Sequence, residues 1–125
     1  MKSLVAKRVK VKEPEESVVS AIRIPRNEVF LIGRVSGAPV EKLLPSGDFH
    51  VEFRIVVDRK GSQNKKREVD ALDVAAWLSK ARRSALTLKV GDWISVEGAI
   101  RRRFWKVPSG VASRWQVEAS QLGRL

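Results

Sequence analysis

The 125-residue chain carries 25 Lys plus Arg against 14 Asp plus Glu, a formal charge of +11, so it concentrates polyanions around itself, with nucleic acid the commonest such partner and an anionic membrane surface or an acidic protein the rivals. It has no cysteine and one histidine, which excludes disulfides, thiolate nucleophiles and Cys- or His-built metal sites. No stretch resembles a membrane span or a secretory signal, so the expected setting is cytoplasmic, with no membrane partner.

In chain order, residues 1–16 read as a basic flexible arm, with Lys2, Lys7, Arg8, Lys10 and Lys12 ahead of Glu13-Pro14-Glu15-Glu16, and residues 17–125 as one domain. Residues 17–24 hold enough Val and Ile for a short strand or a packed segment, ended by Pro25 and Asn27. Val29-Phe30-Leu31-Ile32 opens a strand apolar on both faces, and Gly33 within it predicts a bulge or a tight bend. Leu44-Pro45-Ser46-Gly47-Asp48 is a turn by composition. Phe49, Val51, Phe53, Ile55 and Val57 then alternate with His50, Glu52 and Arg54, the signature of a half-buried antiparallel strand.

Residues 59–68 are polar and basic and predict a protruding hairpin loop. A third strand spans residues 69–77, with Leu72, Val74 and Ala76 inward, Asp70 on that side at the frayed start, and Ala71, Asp73, Ala75 and Trp77 outward. Residues 78–86 form a short helix, and Gly91-Asp92 turns into a fourth strand. Its Ile94, Val96, Ile100 and Phe104 are expected inside, and Arg101, Arg103 and Trp105 outside. After Pro108-Ser109-Gly110, a last strand covers residues 113–122. Five strands with one short helix between the third and fourth predict an all-β chain with an OB-fold, a five-stranded Greek-key barrel.

The outward positions carry the candidate chemistry. Trp105 shares a register with Arg101 and Arg103 and is followed by Lys106; Trp77 ends the third strand ahead of Lys80, Arg82 and Arg83. Exposed indoles stack on any base while cations track phosphates, an arrangement suited to single strands, since a duplex hides its base faces. Trp77 and Trp105 are therefore the expected base-stacking residues, and Arg54, Lys65, Lys66, Arg67, Arg101, Arg103 and Lys106 the expected phosphate-binding ones. The bland alternatives are core tryptophans, a solvated cationic strand edge and an ordinary basic loop tip. Trp93 and Trp115 read as core or subunit-interface residues.

Nothing points to catalysis. His50 has no nucleophile at a recognisable spacing, Asp70 and Asp73 fall on opposite faces of a strand, and there is no Gly-rich phosphate loop. No catalytic residue, cofactor or metal is expected.

Three segments carry a resemblance. Asn27-Glu28-Val29-Phe30-Leu31-Ile32-Gly33-Arg34-Val35, the turn Leu44-Pro45-Ser46-Gly47, and above all residues 89–105, KVGDWISVEGAIRRRFW, resemble the bacterial single-stranded DNA-binding protein family across residues 27–123. The resemblance implies stacking roles for Trp105 and Trp77, and it implies that two further platform positions, near Gly61 and at Ala71, are empty. It also implies a tail-less variant: members usually end in an acidic tip that recruits partners, and here no acid follows Glu118. Fewer stacking aromatics and more cations predict a steep salt dependence of affinity.

The expected function is sequence-independent binding and protection of single-stranded DNA in replication, recombination or repair, by a homo-oligomer that is a tetramer or a dimer. RNA remains open as a ligand, because stacking and phosphate contacts hardly distinguish the two sugars. The alternative is a primosome-type adaptor on the same fold, binding proteins tightly and nucleic acid weakly.

Overall fold

The alternation at residues 49–57 builds the strand it predicts. The computed structural model describes residues 23–61 and 68–125; the arm assigned to residues 1–16 and the cations Lys65, Lys66 and Arg67 lie outside the described residues. Strand β2 (Phe49–Asp58) buries Val51, Phe53 and Ile55 on one face. It is flanked by β1 (Val29–Leu43) and β3 (Val69–Ala76), both antiparallel to it. A helix, α1 (Ser79–Leu86), follows, then β4 (Trp93–Val107) and β5 (Gly110–Arg124). The strands close into a barrel in the order β1-β2-β3-β5-β4, with β4 returning to β1. This is the OB-fold the sequence predicts. Among the described residues, no helix is long and apolar enough to cross a membrane.

The barrel interior is filled by Val35, Val51, Ile55, Val74, Ile94 and Val96, all essentially inaccessible. Ala81 and Ala85 of α1 and Leu88 after it join that core, which explains the small residues on the helix face. Leu72 packs against the core from its half-buried position, as its inward register requires. Ala75 is also fully buried although its register points outward. Asp70 is exposed and pairs with Arg59 at 2.9 Å across the strand ends.

Gly33 sits where β1 pairs with β4 through Ile94, one residue before Arg34 takes up β2 as well. A Cβ there would collide with the Val56 carbonyl oxygen, so the glycine permits the close approach of strands that bending β1 requires. The register irregularities themselves fall later, between Val35 and Val40.

The fourth strand departs from expectation at its far end. Ile94 and Val96 are buried as predicted, but Ile100 is exposed and Phe104 is 64% exposed. The cause is length. β1 pairs with β4 only up to Gly98, and β3 pairs with β5 only at Val74, Ala75 and Ala76. Residues 99–107 and 110–116 therefore leave the barrel as a two-stranded arm, and their inward-facing side chains have no core beneath them. The last strand is also longer at both ends than residues 113–122.

One more feature sets the arm's faces. Glu97 pairs with Gln121 while Gly98 pairs with Ala119, which leaves Ser120 as an extra residue in β5. The bulge inverts the alternation of β5. Trp115, Val117 and Ala119 lie on the inward side before it, and Leu122 lies on that side after it.

Candidate nucleic-acid interface

Opposed residues of an antiparallel pair share a face, so the β4–β5 register sorts the arm directly. On the outward face, Arg101 opposes Gln116, Arg103 opposes Arg114 and Trp105 opposes Ala112. Trp105 is 44% exposed, and the Arg114 guanidinium lies 5.9 Å from its ring centroid. Lys106 opposes Val111 on the other face, so it is not part of the Trp105 row despite standing next to it in sequence.

Trp77 follows β3 directly. Because Val51 pairs with Ala76, the next residue outward on each strand brings His50 beside Trp77. The two rings stack at 4.4 Å with an interplanar angle of 17°, and His50 is only 3% exposed. From the other side of β3, Arg103 of β4 lays its guanidinium 4.3 Å from the Trp77 centroid. The indole is thus sandwiched between an imidazole and a cation.

The arginines of this surface are already engaged. Arg54 Nε donates to Asp73 Oδ1 at 3.0 Å, and the other oxygen of Asp73 lies 3.7 Å from Arg114. Arg101 Nε donates to Glu118 Oε1 at 2.7 Å. These are exposed pairs of small net energy. They hold the guanidinium planes in place. Between this surface and β1, Lys42, His50, Glu52, Arg103, Trp105 and Arg114 wall an open cleft of about 400 Å³.

The floor of that cleft has its own electrostatics. Glu52 accepts from His50 Nε2 at 2.7 Å and pairs with Lys42 at 2.9 Å. A carboxylate only accepts, so Nε2 is the imidazole nitrogen that carries the proton. Burial pushes the Glu52 carboxyl up, yet the hydrogen bonds from His50 and Lys42, with the Lys42 charge, outweigh it and hold Glu52 below its ordinary value of 4.5. The folded chain therefore takes up this proton less readily than the unfolded one. The cluster's contribution is complete above pH 4.5 and is lost as the pH falls through the lowered value. The urea midpoint of the native chain should accordingly drop more between about pH 6 and about pH 3 than that of Glu52→Gln; equal drops would mean that the cluster adds no stability.

The structure thus brings together Trp77, Trp105, Arg101 and Arg103, with Arg54 one ion pair away through Asp73, while Lys106 faces the far side of the arm. Arg114 also belongs to this surface, with the buried Gln116 beneath it hydrogen-bonded to Arg103 at 3.4 Å; both escape sequence reasoning, because their facing depends on the β5 bulge. On the arm's inward face, Arg102 lies 5.3 Å from the Phe104 centroid and 5.4 Å from that of Trp115. Trp115 is 60% exposed, and so is not a core residue.

Comparison with known proteins bears on the family and the fold. A model of the single-strand binding protein family matches residues 26–125. The chain is 33% identical over 85 residues to a single-stranded DNA-binding protein of Clostridium tetani, a match that takes in 67% of this chain and 59% of that protein. To the single-stranded DNA-binding protein of Aquifex aeolicus it is 35% identical over 99 residues, 77% of this chain and 67% of that one. Among solved structures, the Plasmodium falciparum SSB complex with ssDNA superposes with a TM-score of 0.68 at 22% identity, covering 83% of this chain and 98% of that one. The small single-stranded DNA-binding protein from Streptomyces coelicolor gives 0.61 at 21% identity, over 82% and 96%. These two likenesses speak to the fold, and the family match over the whole barrel and arm speaks to descent: the chain belongs to the single-strand binding protein family.

Proposed function

We propose that this protein binds single-stranded DNA without reading its sequence, and so protects it during replication, recombination or repair in the cytoplasm. The observation that carries the reading is the outward face of the arm, where the half-exposed indole of Trp105 stands in a row with Arg101 and Arg103 and beside Arg114. Trp105 stacks on a base, and Arg54, Arg101 and Arg103 take the phosphates. Trp77 serves as a second platform when Arg103 exchanges its indole for a phosphate, a displacement that a polyanion favours. Lys65, Lys66, Arg67 and Lys106 add to the phosphate contacts. No covalent chemistry is involved.

Homo-oligomerisation completes the proposal. Phe30, Ile32 and Trp93 are exposed large apolar side chains, and the β1–β4 register places all three on the outward face of that sheet. A patch of this kind favours a copy-to-copy interface, and light scattering reads whether two or four chains associate.

Titrating poly-dT into the protein at low salt, with tryptophan emission as the signal, tests the binding reading. Strong quenching that is reversed by salt is expected. An unchanged emission would overturn it. The pairing of Arg54 with Asp73 and of Arg101 with Glu118 favours a second reading, the adaptor, in which carboxylates satisfy the cations and quenching stays weak. RNA enters as a competitor in the same titration.

A further inference from the structure

The arm has a second face that the outward site does not use. Along it run Ile100, Arg102 and Phe104 from β4 and Trp115, Ser113 and Val111 from β5, with Lys106 beside the tip. Phe104 and Trp115 are 64% and 60% exposed, and the Arg102 guanidinium stands between them, 5.3 and 5.4 Å from their centroids. Arg102 donates to the Ser113 hydroxyl from Nε and from a terminal nitrogen, at 3.2 and 2.9 Å. Among the described residues no carboxylate pairs with it. In this it differs from Arg101, which Glu118 holds at 2.7 Å.

We propose that this inward face is a second stacking surface for single-stranded nucleic acid, so that one strand grips the arm from both sides. The inference rests on the single-strand-binding reading and extends it to a separate set of residues. Three observations favour a polyanion with flat bases over other occupants. The exposed rings offer sequence-tolerant stacking. The cation between them is neutralised by no acid among the described residues and is already oriented by Ser113. A second copy of this face would bring its own Arg102 and Lys106 against these, in a chain of net charge +11, and like charges repel.

The path is short. The Arg102–Trp115 and Trp105–Ala112 rows are three residues apart, about 10 Å along the arm, and among the described residues no further strand pairs with the arm's edges, so a nucleic-acid strand can cross them. Trp115, Phe104 and Arg102 thereby set how much strand each chain occupies.

Two full-length variants separate this inference from the reading it rests on. One retains Trp115 as its sole tryptophan, through Trp77→Phe, Trp93→Phe and Trp105→Phe; the other retains Trp105 alone. Both are titrated with poly-dT at low salt. Quenching of both is expected. Quenching of the Trp105 variant alone overturns the second surface and leaves the first intact, whereas quenching of neither overturns both. In the otherwise native chain, Phe104→Ser with Trp115→Ser should lower affinity about tenfold and reduce the nucleotides bound per chain at saturation. An unchanged saturation point overturns the proposal. So does a fall in particle mass by light scattering with binding unaltered, which would make this face a contact between copies.

Discussion

Replacing Trp105 with alanine lowers the affinity for poly-dT by one to two orders of magnitude at low salt, on the reading proposed above. A stacked base is worth about 1–3 kcal/mol, and each 1.4 kcal/mol or so is tenfold. Trp105 is placed to deliver that energy: its ring is half-exposed, it stands on a two-stranded frame, and Arg114 beside it adds a cation at the level of the ring. Trp105→Phe keeps a stacking face and should lose only a fraction of the affinity. The salt dependence separates the indole's contribution from that of the cations. Removing an aromatic releases no counterions, so plots of log affinity against log salt for the native and alanine proteins should run parallel. Undiminished affinity in Trp105→Ala would take the residue out of the interface, even with binding itself intact.

Gly98→Val should cost the fold about 3 kcal/mol, near the upper end of ordinary overpacking. Gly98 is the β4 residue at the bulge, paired with Ala119. A Cβ there would collide with the carbonyl oxygen of Glu118 and lie 2.9 Å from its carbonyl carbon and 3.0 Å from the Ala119 Cα. These are backbone atoms in the seam where the arm leaves the barrel, so no side-chain rotation relieves the contact. Gly47→Ala is the appropriate control. Gly47 adopts a φ of 93°, and no atom lies within 4 Å of the place its methyl group would take, so only backbone strain is added, roughly 1 kcal/mol. Urea unfolding of the two variants should show the larger loss at Gly98. The loss should be accompanied by weaker poly-dT binding, because Glu118 both receives the clash and anchors Arg101.

The parts of this molecule legible in its sequence are those governed by local alternation. The period of β2, the turn chemistry at Leu44–Asp48 and the short helix all follow from neighbouring residues, and together they imply the barrel. The outward facing of Trp105, Arg101 and Arg103 follows for the same reason. What escapes is whatever depends on where strands end relative to one another. Ile100 and Phe104 have a core-facing period, yet only the early loss of β1 and β3 as partners reveals that no core lies there. The facing of Trp115 and Arg114 hinges on one unpaired serine that no composition rule identifies. The partners of Arg54 and Arg101 lie 19 and 17 residues away, across strand pairings that only the folded register supplies. Trp77 illustrates both sides: its outward direction is readable, while its enclosure by His50 and Arg103 is not.

The parallel seam between β3 and β5 has a consequence of its own. It closes the barrel through Val74, Ala75 and Ala76 against Val117, Glu118 and Ala119, a far shorter join than the ladder uniting β4 with β5 along most of their length. Its side chains are nearly all interior, so water reaches it by separation of the strands and not by erosion from the surface. The barrel is therefore a sheet with a built-in clasp. Were the three-residue clasp to part, β1, β2 and β3 would remain a connected sheet and β4 and β5 would still be joined along their ladder.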